Sequence, residues 1–165
     1  MKYFFLVSLF TLFLSGKLVA AIEVTQCFEN AWALSGNGGL GLNRGQAVEL
    51  CSGAANAIEV TQCFENARAH PDNGGLGLNR GQAVELCSGA TNAIEVTQCF
   101  EYAWAHPANG GLGLNRGQAV ELCSGATNAI KVTQCFENAW AHPDNGGLDL
   151  NRGQAIDLCK KSAEK

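Results

Sequence analysis

Hydrophobic and polar positions recur in the same order four times along this chain. In residues 57–92, the apolar residues Val60, Cys63, Phe64 and Ala67 follow one another at steps of three and four, with polar residues between them. This spacing predicts an amphipathic helix. After a glycine-rich stretch, residues 83–87 supply a second apolar face, which predicts a second and shorter helix. Each copy is therefore predicted to be a helix, a loop and a helix.

Capping signals mark where these helices begin and end. Asn56 precedes Glu59 by three residues, which is the spacing of an N-cap residue and its reciprocal partner, and Asn79 with Gln82 repeats it. Pro71 ends the first helix, because the residue before a proline is driven out of the α region. The second helix is only about nine residues long, a length that is marginal in isolation. Packing and a covalent link are therefore needed to hold it.

The unit repeats every 36 residues, and periods of 20 to 50 residues are typical of stacked supersecondary units. Units of this kind bury their apolar faces only against their neighbours. The sequence predicts an all-α fold, a short α-solenoid of four helix-loop-helix repeats with one disulfide each. It forms a single repeat domain over 22–165, with units at approximately 22–56, 57–92, 93–128 and 129–165.

Each repeat contains two cysteines. In an antiparallel hairpin the early part of the first helix faces the late part of the second, which is where the two cysteines lie. Loop entropy does not decide between pairing within and between repeats, since the difference is only about 0.5 kcal/mol. Pairing between repeats would leave Cys27 and Cys159 alone at opposite ends of the array. The predicted disulfides are Cys27–Cys51, Cys63–Cys87, Cys99–Cys123 and Cys135–Cys159.

The N-terminus has the order of a secretory signal peptide. Lys2 precedes an apolar run over 3–14, and small residues follow at Ala20 and Ala21. Residues 1–21 are predicted to be removed by cleavage after Ala20 or Ala21, and the apolar run is too short to span a bilayer. Eight cysteines in the remaining chain fit an oxidising compartment. A secreted or periplasmic protein is expected, with no membrane insertion after cleavage.

Charge narrows the range of partners. The whole chain carries a net charge of −4, and removal of Lys2 and Lys17 with the leader makes it −6. Lysine and arginine are scattered one or two per repeat, so no basic stripe is present to neutralise phosphates. Nucleic acid and anionic membranes are not expected as partners. A monomer that binds a protein partner of unknown identity is expected.

Catalytic and metal-binding patterns are weak. Histidines occupy one position in three repeats, but the first repeat has Leu34 there, so a solvent-facing helix end is predicted for His70, His106 and His142. Ser162 and Lys165 match the Ser-x-x-Lys spacing of penicillin-binding enzymes without the motifs that accompany it. No close cysteine pair has the spacing of a zinc site. No enzyme activity, cofactor or metal is expected.

The repeat also resembles a known family. Relative to Cys63, small, loop and capping residues lie at fixed distances: Ala67, Gly75, Leu76, Asn79 and Ala83. With the 36-residue period and the second cysteine, this pattern is similar to Sel1-like repeats, the tetratricopeptide-like subclass with cysteine-rich secreted bacterial members. The chain departs from these proteins in its second cysteine, which comes several residues earlier in the repeat than theirs does. The resemblance implies a protein–protein interaction scaffold, or alternatively a β-lactam-binding or hydrolysing enzyme.

Differences among the copies indicate an exposed edge. Five residues after the first cysteine of each unit the chain has Trp32, Arg68, Trp104 and Trp140. A fully buried position would not exchange tryptophan for arginine, because an unpaired buried charge is costly. We therefore predict a partly exposed binding edge, since tryptophan and arginine are enriched at interface hot spots. Tryptophans that seal one repeat against the next, and a structural protein without a specific ligand, remain the alternatives.

Overall fold

The computed structural model describes residues 19–160 and has eight α-helices and no strand within that range. The predicted all-α solenoid is confirmed. Most of the predicted leader, and the Ser162 to Lys165 motif, lie outside the described residues. Four 3₁₀ turns begin the loops between the paired helices: Ser35–Asn37, Pro71–Asn73, Pro107–Asn109 and Pro143–Asn145. The helices are α1 (19–32), α2 (Arg44–Cys51), α3 (Ala57–Arg68), α4 (Arg80–Cys87), α5 (Ala93–Trp104), α6 (Arg116–Cys123), α7 (Ala129–Trp140) and α8 (Arg152–Lys160).

Asparagine begins the helices, as the spacing predicted. The Asn56 side chain accepts hydrogen bonds from the backbone N–H groups of Ile58 and Glu59 at the start of α3. Asn79 and Gln82 form a complete capping box at the start of α4, with each side chain accepting from the other residue's backbone. These bonds satisfy amides that have no partner inside the helix.

The reciprocal role predicted for Glu59 is wrong. Its carboxylate does not turn back to Asn56 but accepts a hydrogen bond from the backbone N–H of Ala93, the first residue of α5, at 2.7 Å. Glu23 bonds to Ala57 and Glu95 to Ala129 in the same way, at 2.8 and 2.6 Å. An acidic group is favourable at the positive end of a helix. Each of these glutamates therefore joins its repeat to the next one.

The loop turns back over the end of the first helix. The backbone N–H groups of Leu76 and Leu78 donate to the carbonyls of Asn66 and Ala67, which lie in the last turn of α3. Gly75 is required here, because a Cβ at that position would overlap the carbonyl of Ala69. Leu76 and Leu78 are buried. The loop thus satisfies carbonyls at the helix end and fills the core beneath them.

Successive repeats stack so that equivalent helices are in contact. First helices pack on first helices, second helices on second helices, and the two helices of one repeat pack on each other. The core is continuous through the array and includes Phe100, Phe136, Leu50, Leu86 and Leu122. Side chains of one repeat also donate hydrogen bonds to residues of the preceding repeat that lie 39 positions earlier in the chain: Ser88 Oγ donates to the carbonyl of Glu49, Ser124 Oγ to that of Glu85, and Lys160 Nζ to the carboxylate of Glu121.

All four predicted disulfides are confirmed. Each joins the first and second helix of one repeat, with Cα–Cα distances of 5.6 to 5.7 Å. Seven of the cysteines are buried and Cys135 is partly buried. Four intramolecular disulfides fit an oxidising environment such as the extracellular space or periplasm. Within residues 19–160, no helix is both long enough and apolar enough to cross a membrane.

Candidate interaction edge

The predicted tryptophan series lies at the ends of the first helices. α3 ends at Arg68, α5 at Trp104 and α7 at Trp140, and Trp32 is the last residue of α1. Arg68 is exposed, and the three tryptophans keep between 44% and 57% of their surface exposed. We call the four residues the Trp edge. Because each repeat contributes one of them, they recur along one side of the array.

Each tryptophan of the Trp edge rests on a phenylalanine one helical turn earlier. The ring centroids of Phe28 and Trp32 are 6.1 Å apart, and those of Phe100 and Trp104 are 6.2 Å apart. Phe136 and Trp140 are also separated by 6.2 Å. Residues four apart face each other on a helix, and offset aromatic pairs at this distance attract. Since Phe100 is fully buried, it anchors an exposed ring to the core.

Arginines from the second helices lie over two of these rings. The guanidinium carbon of Arg116 is 4.9 Å from the ring centroid of Trp104, and that of Arg152 is 5.2 Å from that of Trp140. Arg116 also donates from Nη1 to the carbonyl of Gly77 at 3.0 Å, in the loop of the preceding repeat. A cation over an indole contributes roughly 0.5–1 kcal/mol at an exposed site. Trp104 is therefore held from two sides and exposes the rest of its ring.

The second repeat presents arginine instead of an aromatic ring. Arg68 Nη1 donates to the carbonyl of Leu78 at 2.9 Å, across the end of the loop. Arg80, at the start of α4, donates from Nη1 to the carbonyl of Gly41 in the first repeat. The scaffold therefore accepts arginine at this position, by giving its guanidinium a backbone partner.

A groove of about 640 Å³ opens beside Trp104. It is lined by Glu101 and Trp104 from α5, by His106, and by Asn109 and Leu114 from the loop. The groove offers an apolar ring, a carboxylate and an imidazole within one concavity. Pockets that combine an apolar wall with a few polar groups are typical of binding sites.

The histidines cap the short turns that follow the first helices. His106 Nδ1 accepts a hydrogen bond from the backbone N–H of Ala108 at 3.1 Å, and His70 and His142 make the same bond at 3.3 Å. All three histidines are exposed, as the sequence analysis predicted. Leu34 in the first repeat provides no side-chain cap. The three histidines thus have a local structural role that the sequence analysis did not foresee.

A second exposed series was missed by the sequence analysis. Isoleucines at one equivalent position in the four first helices are exposed although they are apolar: Ile22, Ile58, Ile94 and Ile130. Between α5 and α7, a pocket of about 300 Å³ is lined by Ile130, Tyr102 and Glu137, among others. The Tyr102 hydroxyl donates to Glu137 at 3.0 Å, and this bond raises the pKa of Tyr102. The only signal in the sequence is that Ile58 falls outside the three-and-four spacing of the buried residues.

Metal-ligating groups do not converge in the part of the chain that the structure describes. Within residues 19–160, no cluster of three or more histidine, cysteine or acidic side chains is placed to hold a metal ion. All eight cysteines are committed to disulfides. The Trp edge itself exposes indole rings and one guanidinium group.

Comparison of the chain with protein-family models, with curated proteins and with solved structures finds no match. The Sel1-like resemblance stays a prediction that rests on the repeat pattern.

Proposed function

We propose that this protein is a secreted or periplasmic scaffold of the Sel1-like kind, which binds another protein through the Trp edge. One observation carries the proposal: three tryptophans are about half exposed and yet held in fixed positions. Trp104 and Trp140 each lie between a phenylalanine and an arginine, at the same position in successive repeats. The intra-repeat disulfides make the array suited to an oxidising compartment.

A rigid exposed ring favours binding for a thermodynamic reason. Ordering a flexible side chain at an interface costs about 0.5–1.5 kcal/mol, and a ring that is already fixed avoids much of this cost. Tryptophan supplies a large contact area with only two side-chain torsions. The contacts of Trp104 with Phe100 and Arg116 therefore prepare its exposed surface for a partner.

The charge of the edge indicates the chemistry of the partner. Every second helix begins with an arginine close to the Trp edge in sequence: Arg44, Arg80, Arg116 and Arg152. Together with Arg68 they place guanidinium groups along this side of the array, and Glu101 adds a carboxylate to the groove beside Trp104. Packed helices lie about 8–10 Å apart, and an extended chain rises about 3.3 Å per residue. A partner segment in extended conformation would place an apolar side chain roughly every third residue, with acidic residues between them.

The test uses a substitution that the scaffold already accepts. The variant Trp32→Arg/Trp104→Arg/Trp140→Arg gives every repeat the residue that the second repeat has, so its fold should be kept. The matched control is Ile58→Ala/Ile94→Ala/Ile130→Ala, which removes an equally repetitive exposed apolar series at the other end of the first helices. The oxidised protein serves as bait in extracts of the exported proteins of the source cells, with mass spectrometry of the captured species.

A partner retained by the parent protein and the isoleucine variant, but lost by the arginine variant, would support the proposal. Equal capture by the arginine variant would refute the Trp edge as the binding surface. Absence of any specific partner with the parent protein would favour the alternative of a structural protein without a ligand.

A further inference from the structure

The first repeat exposes apolar side chains that later repeats bury. Val48 in α2 is 57% exposed, whereas Val84, at the same position of the second repeat, is 1% exposed. Val24 is exposed where Val60 is fully buried, and Phe28 is only partly covered. In the later repeats the preceding repeat covers these positions. We call Val24, Phe28 and Val48 the first-repeat face.

The fourth repeat exposes a second apolar surface on its opposite side. Leu158 in α8 is 50% exposed, whereas Leu122, one repeat earlier, is fully buried. Leu148 in the loop is also exposed, although Leu112 is buried. In the earlier repeats the following repeat covers these positions. We call Leu148 and Leu158 the fourth-repeat face.

The two faces are complementary because they are the two halves of one repeated interface. Every internal junction of the array joins the residues equivalent to the fourth-repeat face with those equivalent to the first-repeat face. Solenoid repeats generally need terminal units with a polar outer surface to stay apart. Here both outer surfaces keep the apolar residues of the internal junctions.

Polar groups of the internal junctions are also present at the faces. Arg116 and Arg152 each bond to a loop carbonyl of the preceding repeat, at Gly77 and Gly113. On the first-repeat face the equivalent arginine is Arg44, and on the fourth-repeat face the equivalent loop residue is Asp149. The exchange of glycine for aspartate adds a negative charge where an arginine of a second copy would arrive.

We propose that the fourth-repeat face of one copy stacks on the first-repeat face of a second copy, continuing the solenoid across the junction. The contact is heterologous, so it leaves one face free on each copy and allows linear growth. This proposal replaces the expectation of a monomer that the sequence suggested. It is independent of the Trp edge, which runs along the side of the array.

One residue makes this junction between copies weaker than the junctions between repeats within a chain. Glu23, Glu59 and Glu95 each cap the first helix of the next repeat, but the fourth repeat has Lys131 at this position. Once the predicted leader is removed, the first helix of a second copy begins near Ala21, the equivalent of Ala57. Lysine cannot accept a hydrogen bond from that helix start, and its charge is unfavourable at the positive end of a helix. The association is therefore reversible, and Lys131→Glu should tighten it by about tenfold.

Sedimentation velocity over a range of protein concentrations tests the proposal. The full chain is expressed with its leader, and the oxidised product is purified for the measurement. The parent protein should show a rising average mass, and Lys131→Glu should reach the same mass at lower concentration. Val48→Asp blocks one face and Leu158→Asp the other, so each variant alone should remain monomeric. Both sites are exposed, so these variants should fold, which their circular dichroism would verify. Ile58→Asp is the matched control on neither face and should associate like the parent.

A mixture of the Val48→Asp and Leu158→Asp variants tests whether the contact between copies is head-to-tail. Each variant keeps the face that the other lacks, so the mixture should form a dimer of one copy of each and nothing larger. Self-association of either variant alone to the parent's extent would overturn the head-to-tail contact. A monomer at every concentration, for the parent and for Lys131→Glu, would overturn self-association altogether.

Discussion

Removal of one internal disulfide tests how the repeats are held together. Cys99 and Cys123 are fully buried and are separated by 24 residues in sequence. For a loop of about 25 residues, the chain-entropy model gives a stabilisation of roughly 3.5 kcal/mol. Loss of two buried sulfur atoms adds a packing cost of about 1 kcal/mol. We expect Cys99→Ala/Cys123→Ala to lower the free energy of unfolding by about 3–5 kcal/mol.

Guanidinium denaturation of the oxidised proteins, followed by far-ultraviolet circular dichroism, measures this change. The matched comparison is Cys135→Ala/Cys159→Ala, which opens a loop of the same length. Because Cys135 is only partly buried, this second variant should lose the same entropic contribution and less packing energy. A loss below about 1 kcal/mol for the internal pair, or a larger loss for the fourth-repeat pair, would refute the reasoning.

Three further measurements address other features. Glu95→Ala should lower the free energy of unfolding by about 1–2 kcal/mol, because it removes the charged acceptor of the Ala129 amide. Lys131→Ala, at the equivalent position of the fourth repeat, should change the free energy of unfolding by less than about 0.5 kcal/mol, and equal losses would contradict the role of Glu95 in joining two repeats. Mild reduction followed by alkylation and mass spectrometry should modify Cys135 and Cys159 first, and simultaneous reduction of all four pairs would contradict this order. Iodide should quench all three tryptophans of the native protein, and inaccessible rings would move the interaction surface elsewhere.

The elements of one repeat could be predicted because their signals are local. Val60, Cys63 and Phe64 are buried, as their spacing predicts. Asn79 and Gln82 lie three residues apart and cap α4 without help from any other part of the chain. The disulfides followed from the hairpin and from the need to pair every cysteine. None of these inferences required knowledge of how one repeat contacts the next.

Contacts between repeats could not be predicted from the period. The three-residue spacing of Asn56 and Glu59 fits a local capping box, in which the Glu59 carboxylate would accept from the Asn56 backbone. The donor that it accepts from instead, the backbone N–H of Ala93, lies 34 residues after Glu59 in the chain. Exposure of Ile58 depends on the fact that neighbouring first helices leave that side uncovered. A 36-residue period tells which positions are equivalent but not which side chains meet across a junction. The partial exposure of Trp104 was inferable only because Arg68 replaces it in one copy.

Site-specific photo-crosslinking in the source cells tests the central proposal most directly. A photoreactive benzoylphenylalanine replaces Trp104 on the Trp edge or, in a matched protein, Ile94 at the other end of the same helix. Both positions are exposed and carry large apolar side chains, so both should accept the probe without unfolding. We expect a discrete crosslinked partner from position 104 and none from position 94. Equal crosslinking at the two positions, or none at position 104, would contradict the Trp edge as the surface through which this protein acts.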